Sequence, residues 1–142
     1  MLHLIHPVIV HVTVAFLIVG GLVEAFGIVG RRAGAEKFGG VLVVLGIASL
    51  VPAIAAGFLA ANVVTLSPAG AEALGDHERL GLLAFGVFVP LLLMKAWGRG
   101  RPPEGWRGVY AVVLLVGVGL AVATAYHGGF MVYELGVGVA AP

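Results

Sequence analysis

Long uncharged stretches alternate with short charged clusters along this chain, on a scale too coarse for the strands and helices of a water-soluble fold. No side chain is charged from Phe38 to Ala71, nor from Gly108 to Tyr133. Each stretch exceeds the ~20 apolar residues that carry a helix across a bilayer. The pattern predicts four spans: Val8 to Val29, Phe38 to Val64, Leu80 to Trp97, and 108 to 127, with apolar residues continuing to Tyr133. Pro7 opens the first span, where its missing N–H has no helical partner to lose. Pro52 and Pro90 fall inside spans two and three, as kinks that neighbouring helices must accommodate. Thr65 to Arg79 reads as a polar connection. The expected fold is an all-α, integral-membrane, antiparallel four-helix bundle, a single domain over 1–142, with no internal repeat that stands out.

Composition sharpens this. Hydrophobic residues make up 61% and charged residues 11%, with a mean hydropathy of +1.11, whereas soluble domains carry about 25% charged residues. No signal-peptide pattern precedes the first span, which is expected to be retained. Seven of the eight Lys and Arg residues are assigned to the two basic loops at the ends of spans one and three: Arg31, Arg32 and Lys37, then Lys95, Arg99, Arg101 and Arg107. The positive-inside rule places these two basic loops in the cytoplasm and both termini outside the cell membrane. The lack of cysteine excludes covalent haem attachment, iron–sulfur ligation and disulfides. No Ser–His–Asp arrangement, phosphate loop or nucleic-acid patch is present.

Five histidines then demand explanation: His3, His6, His11, His77 and His127. All fall toward the same membrane face, and ionisable groups in or beside hydrocarbon mark functional sites. His6 lies at the edge of span one, and His11 is about 7.5 Å deeper at helical rise. His77 is expected in the connection before span three, level with His6. His127 ends span four, near the level of His11. This yields an outer pair, His6 with His77, and an inner pair, His11 with His127, each suited to the iron of a b-type haem, one or two in number. Gly128 and Gly129 leave room for a flat cofactor. His3, off the bundle, reads as solvated at the interface. Glu24, inside span one, is expected to bond a neighbouring helix or to reach the interface near Arg31 and Arg32.

The segments His6-Pro7-Val8-Ile9-Val10-His11, His77, and His127-Gly128-Gly129 with Val132-Tyr133 and Gly136 resemble a known family. It is the domain-of-unknown-function family 2231, small four-helix membrane proteins that occur alone or joined to Rieske iron–sulfur domains. The resemblance covers nearly the whole chain. It departs where family members carry a proline shortly after the second histidine and this chain has Val12 and Thr13. It implies a membrane redox context, with any Rieske domain on a separate chain. The sequence reading is therefore a b-type cytochrome subunit that relays electrons on the extracytoplasmic side, not catalytic alone. Its expected partners are other membrane redox subunits, an extracytoplasmic cytochrome or Rieske-type protein, and quinone. The rival readings are a cofactor-free structural subunit and a histidine-ligated zinc or copper protein.

Overall fold

Four long helices account for nearly all of residues 5–139, the part of the chain that the structure, a computed structural model, describes. They are α1 (Ile5–Val29), α2 (Ala33–Ala61), α3 (Pro68–Trp97) and α4 (Arg107–Tyr133). All are long and apolar enough to cross a membrane. They run up, down, up, down, so that α1 pairs with α2, α3 with α4, and α1 with α4, while α2 and α3 barely meet.

The helix ends follow local chemistry. Between α1 and α2, Arg31 adopts a left-handed φ of 52°, and the Arg32 N–H reaches back to the Gly27 carbonyl at 2.8 Å, closing a tight turn. Between α3 and α4, Arg99 (φ 57°) and Gly100 (φ 93°) turn the chain, and a short 3₁₀ turn at Glu104–Trp106 leads into α4. Helix α3 starts twelve residues earlier than the hydropathy predicts. Ser67 caps it, its hydroxyl accepting from the Gly70 N–H at 3.1 Å, and Pro68 occupies the first turn, a strong start signal. The residues from Pro68 to Arg79 are therefore about three helical turns rather than a connection. His77 sits on a helix, not in a loop.

Packing between α1 and α2 is backbone to backbone. Gly20 and Gly27 on α1 face Gly39 and Gly46 on α2, each pair one heptad apart. A Cβ on Gly20 would lie 2.7 Å from Leu42 Cβ, one on Gly46 2.7 Å from Leu17 Cδ2, and one on Gly39 or Gly27 would overlap the backbone of Glu24 or Glu36. Small residues are what let membrane helices come this close, since lipid supplies no hydrophobic drive to push them together. On the other hairpin Phe88 stands against Gly117, as Leu17 stands against Gly46. Leu17, Val43, Phe88, Tyr110 and Leu114 fill the centre of the bundle.

That last correspondence is general, and it corrects the expectation of no repeat. The two hairpins repeat one another at an interval of 71 residues. Leu17 and Gly46 become Phe88 and Gly117. His6 and His77, Gly57 and Gly128, Glu24 and Lys95, and Glu36 and Arg107 stand in the same relation. Both copies run in the same direction, and three pairs of equivalent residues (His6 with His77, Glu24 with Lys95, Glu36 with Arg107) touch across the bundle. This is the contact pattern of an approximate two-fold axis along it, from which the loose α2–α3 seam departs. Few residue types are shared between the copies, so the repeat shows in the contacts and not in the composition.

Candidate functional site

The axis is polar at both ends. At the end formed by the start of α1 and α3 and the close of α2 and α4, His6 and His77 meet with ring centroids 6.3 Å apart and ring planes at 90°. Each ring is anchored identically. His6 Nδ1 lies 2.9 Å from the Ala53 carbonyl of α2, and His77 Nδ1 lies 3.0 Å from the Thr124 carbonyl of α4, both across 47 residues of sequence. A carbonyl only accepts, so Nδ1 carries a proton in both rings, and in the neutral imidazole Nε2 is then the nitrogen with the lone pair. One turn beyond each carbonyl comes a glycine. A Cβ on Gly57 would sit 3.0 Å from His6 Cε1, and one on Gly128 3.1 Å from His77 Cε1. The glycines are the gaps through which the imidazoles reach the backbone.

These rings open into a cavity of about 690 Å³, lined mainly by apolar side chains such as Val10, Val14, Ile54, Leu74 and Met131. That volume lies within the roughly 300–1,000 Å³ range of cofactor and ligand pockets.

The remaining histidines behave differently. His11 borders the same cavity but is exposed, its Nδ1 2.6 Å from the Pro7 carbonyl of its own helix. His127 Nδ1 lies 3.0 Å from the Ala123 carbonyl, again one turn back on its own helix. Its ring packs edge-on to Tyr126 in a separate groove that also holds Glu72, Asp76 and Phe130. The expected inner pair of His11 with His127 does not form, because α1 and α4 turn these rings toward different spaces. Under the interval of 71, His11 corresponds to Leu82 and His127 to Ala56. Neither has an equivalent histidine. Gly129 borders the cavity with only Tyr133 Cδ2 near its Cβ position, at 4.0 Å. His3 lies outside the described residues. No three His, Asp or Glu side chains converge on a metal position among the described residues.

At the other end of the axis, Lys95 Nζ donates to Glu24 Oε1 at 2.6 Å and the Tyr110 hydroxyl to Glu24 Oε2 at 3.2 Å. Arg107 donates to Glu36 Oε2 at 2.7 Å. Glu24, Glu36, Lys95 and Tyr110 are buried. The hydropathy pattern places Lys95 in the basic loop. It lies instead inside α3, pointing into the bundle, because Glu24 offers a countercharge that lipid cannot. The expectation that Glu24 bonds a neighbouring helix holds, and Arg31 and Arg32 are not its partners. Sequence reasoning missed Lys95, Tyr110, Glu36, Arg107 and Gly57. Comparing the two halves at the spacing from His6 to His77 would have exposed all of these but Tyr110, since it aligns Glu24 with Lys95, Glu36 with Arg107 and Gly57 with Gly128.

The fold and these two polar ends define a multi-pass, all-α membrane protein. The chain belongs to the family described as "Predicted membrane protein (DUF2231)", whose model it matches over residues 2–141. No curated protein and no solved structure matches it.

Proposed function

We propose that this membrane protein is a b-type cytochrome subunit holding one haem between His6 and His77. The observation that carries the reading is the symmetric imidazole pair. His6 and His77 stand with ring centroids 6.3 Å apart, on two helices of one bundle, and two such imidazoles would hold the iron of a b-type haem. The donor set fits in other respects. Both rings are held through Nδ1 by a carbonyl, which leaves Nε2 as the ligating nitrogen of the neutral imidazole, and the space beside them is apolar and of cofactor size. Haem iron bound there would supply one-electron exchange between its ferric and ferrous states.

The chain's own part follows from its residues. The carbonyls of Ala53 and Thr124 fix the tautomer and orientation of the two imidazoles, and such outer contacts also raise ligand basicity. The apolar walls keep water away, which favours the less charged state of any centre between them. Because both ligands lie at one end of a bundle that spans roughly 30 Å of hydrocarbon, the chain alone reaches one face of the membrane. It serves as a relay between a donor in the membrane, quinol or another redox subunit, and an acceptor outside, such as a cytochrome or a Rieske-type protein. Two histidine pairs would have supported two haems; the single symmetric pair supports one.

Haem content of the purified protein, measured as its pyridine complex per mole of chain, tests this. One haem b per chain supports the reading. A colourless protein after expression with ample haem supply rejects it in favour of a structural subunit, and bound copper or zinc in its place favours a metal protein.

A further inference from the structure

We infer that the chain is two copies of one helical hairpin, and that its buried charges make each hairpin accept the unlike one rather than another copy of itself. The inference stands on the bundle's contacts and is independent of the cofactor. Across the approximate two-fold axis, the copies agree at one end and oppose at the other. His6 and His77 are identical, as are Gly57 and Gly128 beside them. Two first hairpins from two chains would build the same imidazole pair, so that end cannot tell like from unlike.

The basic-loop end can. Glu24 faces Lys95 and Glu36 faces Arg107, both at the interval of 71. Pairing two first hairpins would set Glu24 against Glu24 and Glu36 against Glu36. Pairing two second hairpins would set Lys95 against Lys95 and Arg107 against Arg107. Glu24 is 0% and Lys95 4% exposed, and like charges without solvent repel strongly while an unpaired buried charge is costly. Tyr110 adds a donor to Glu24 that its counterpart, Gly39, cannot supply. A buried ion pair adds little net stability compared with an apolar pair of the same shape, and its best-attested use is in choosing partners and register. Here the choice is between halves of the same lineage, related by one symmetry and joined by the short connection after α2.

The test uses the full chain with a protease site inserted between Asn62 and Ser67. Two copies with different N-terminal tags are co-expressed, solubilised after folding, cleaved, and captured by one tag. The native pair of copies should yield the second hairpin and none of the other tag. Replacing Glu24, Glu36, Lys95 and Arg107 all by Gln should bring the second tag into the capture. Reversing only the first hairpin, Glu24→Lys with Glu36→Arg, should lose most of the captured second hairpin. Adding Lys95→Glu and Arg107→Glu should restore it. The inference is overturned if the neutral chain captures only unlike hairpins, as the native chain does. It is equally overturned if the full reversal performs no better than the half reversal, or if native copies exchange tags.

Discussion

At the scale of single residues, the informative contrast is between four histidines of the same type in one half of a membrane bundle. His6 and His77 bond carbonyls of a neighbouring helix, while His11 and His127 bond carbonyls of their own. An imidazole tied to its own helix is content wherever that helix goes. One tied across helices depends on the bundle and is fixed relative to it. His6→Ala and His77→Ala should each abolish bound haem, whereas His11→Ala and His127→Ala should keep it, read from the pyridine complex and the reduced spectrum. Retention of full bis-histidine bands in either of the first two variants would remove that residue from the ligand set. The adjacent glycines give a finer test. A methyl group at Gly128 would come 3.1 Å from the His77 ring, closer than most real contacts, so Gly128→Val should displace the imidazole and lower haem occupancy several-fold with helix content unchanged by circular dichroism. Gly129→Ala, with open space around it, should bind haem as the native chain does.

At the scale of elements, α1 and α2 depend on the absence of side chains. Gly39→Leu would drive a side chain into the backbone of Glu24. Overpacking of this kind typically costs about 1–3 kcal/mol, and here the neighbour is backbone and cannot rotate away. A lowered thermal midpoint of the detergent-solubilised protein should report it. Gly119→Ala on the exposed face of α4 meets nothing within 4 Å and should leave stability unchanged or raise it by up to about 1 kcal/mol, since alanine is the better helix former. Helix α3 teaches a separate lesson. Its first turns carry Glu72, Asp76, Glu78 and Arg79, and a hydropathy window stops where such residues begin. A helix does not, because capping by Ser67 and the local hydrogen bonds are indifferent to whether the surroundings are lipid or water.

For the whole molecule, charge separates the two ends. Arg31, Arg32, Lys37, Arg99 and Arg101 are exposed at one, and Arg79 is outnumbered at the other by Glu72, Asp76, Glu78 and Glu134. Moving Lys95 from the loop into the bundle leaves this asymmetry standing. We expect reporter fusions at Arg31 and Pro103 to face the cytoplasm and one after Pro142 to face the outside; the reverse pattern would place the histidine end in the cytoplasm. Under the proposed single-haem reading, a redox titration should fit a single one-electron wave, and two resolved waves would require a second centre.

Much of this molecule was legible from its sequence alone. The spans at Val8–Val29 and Gly108 onward, the all-α class, the histidines gathered at one end and the basic loops at the other follow from chain length, hydropathy and helical rise, which act along one element at a time. The partners did not follow. Helices in lipid are apolar on every side, so they lack the polar face that reveals the orientation of a soluble helix, and Glu24 looks the same in sequence whether it meets Arg31 or Lys95. Rotation of α1 against α2 was decided by where backbones could touch, through Gly20, Gly27, Gly39 and Gly46, and that of α3 and α4 by their own packing, as Phe88 against Gly117. With the four helices so turned, His6 meets His77, His11 and His127 face different spaces, and Glu24 meets Lys95. Pairing across a bundle is a property of several helices together, and only the tertiary structure could supply it.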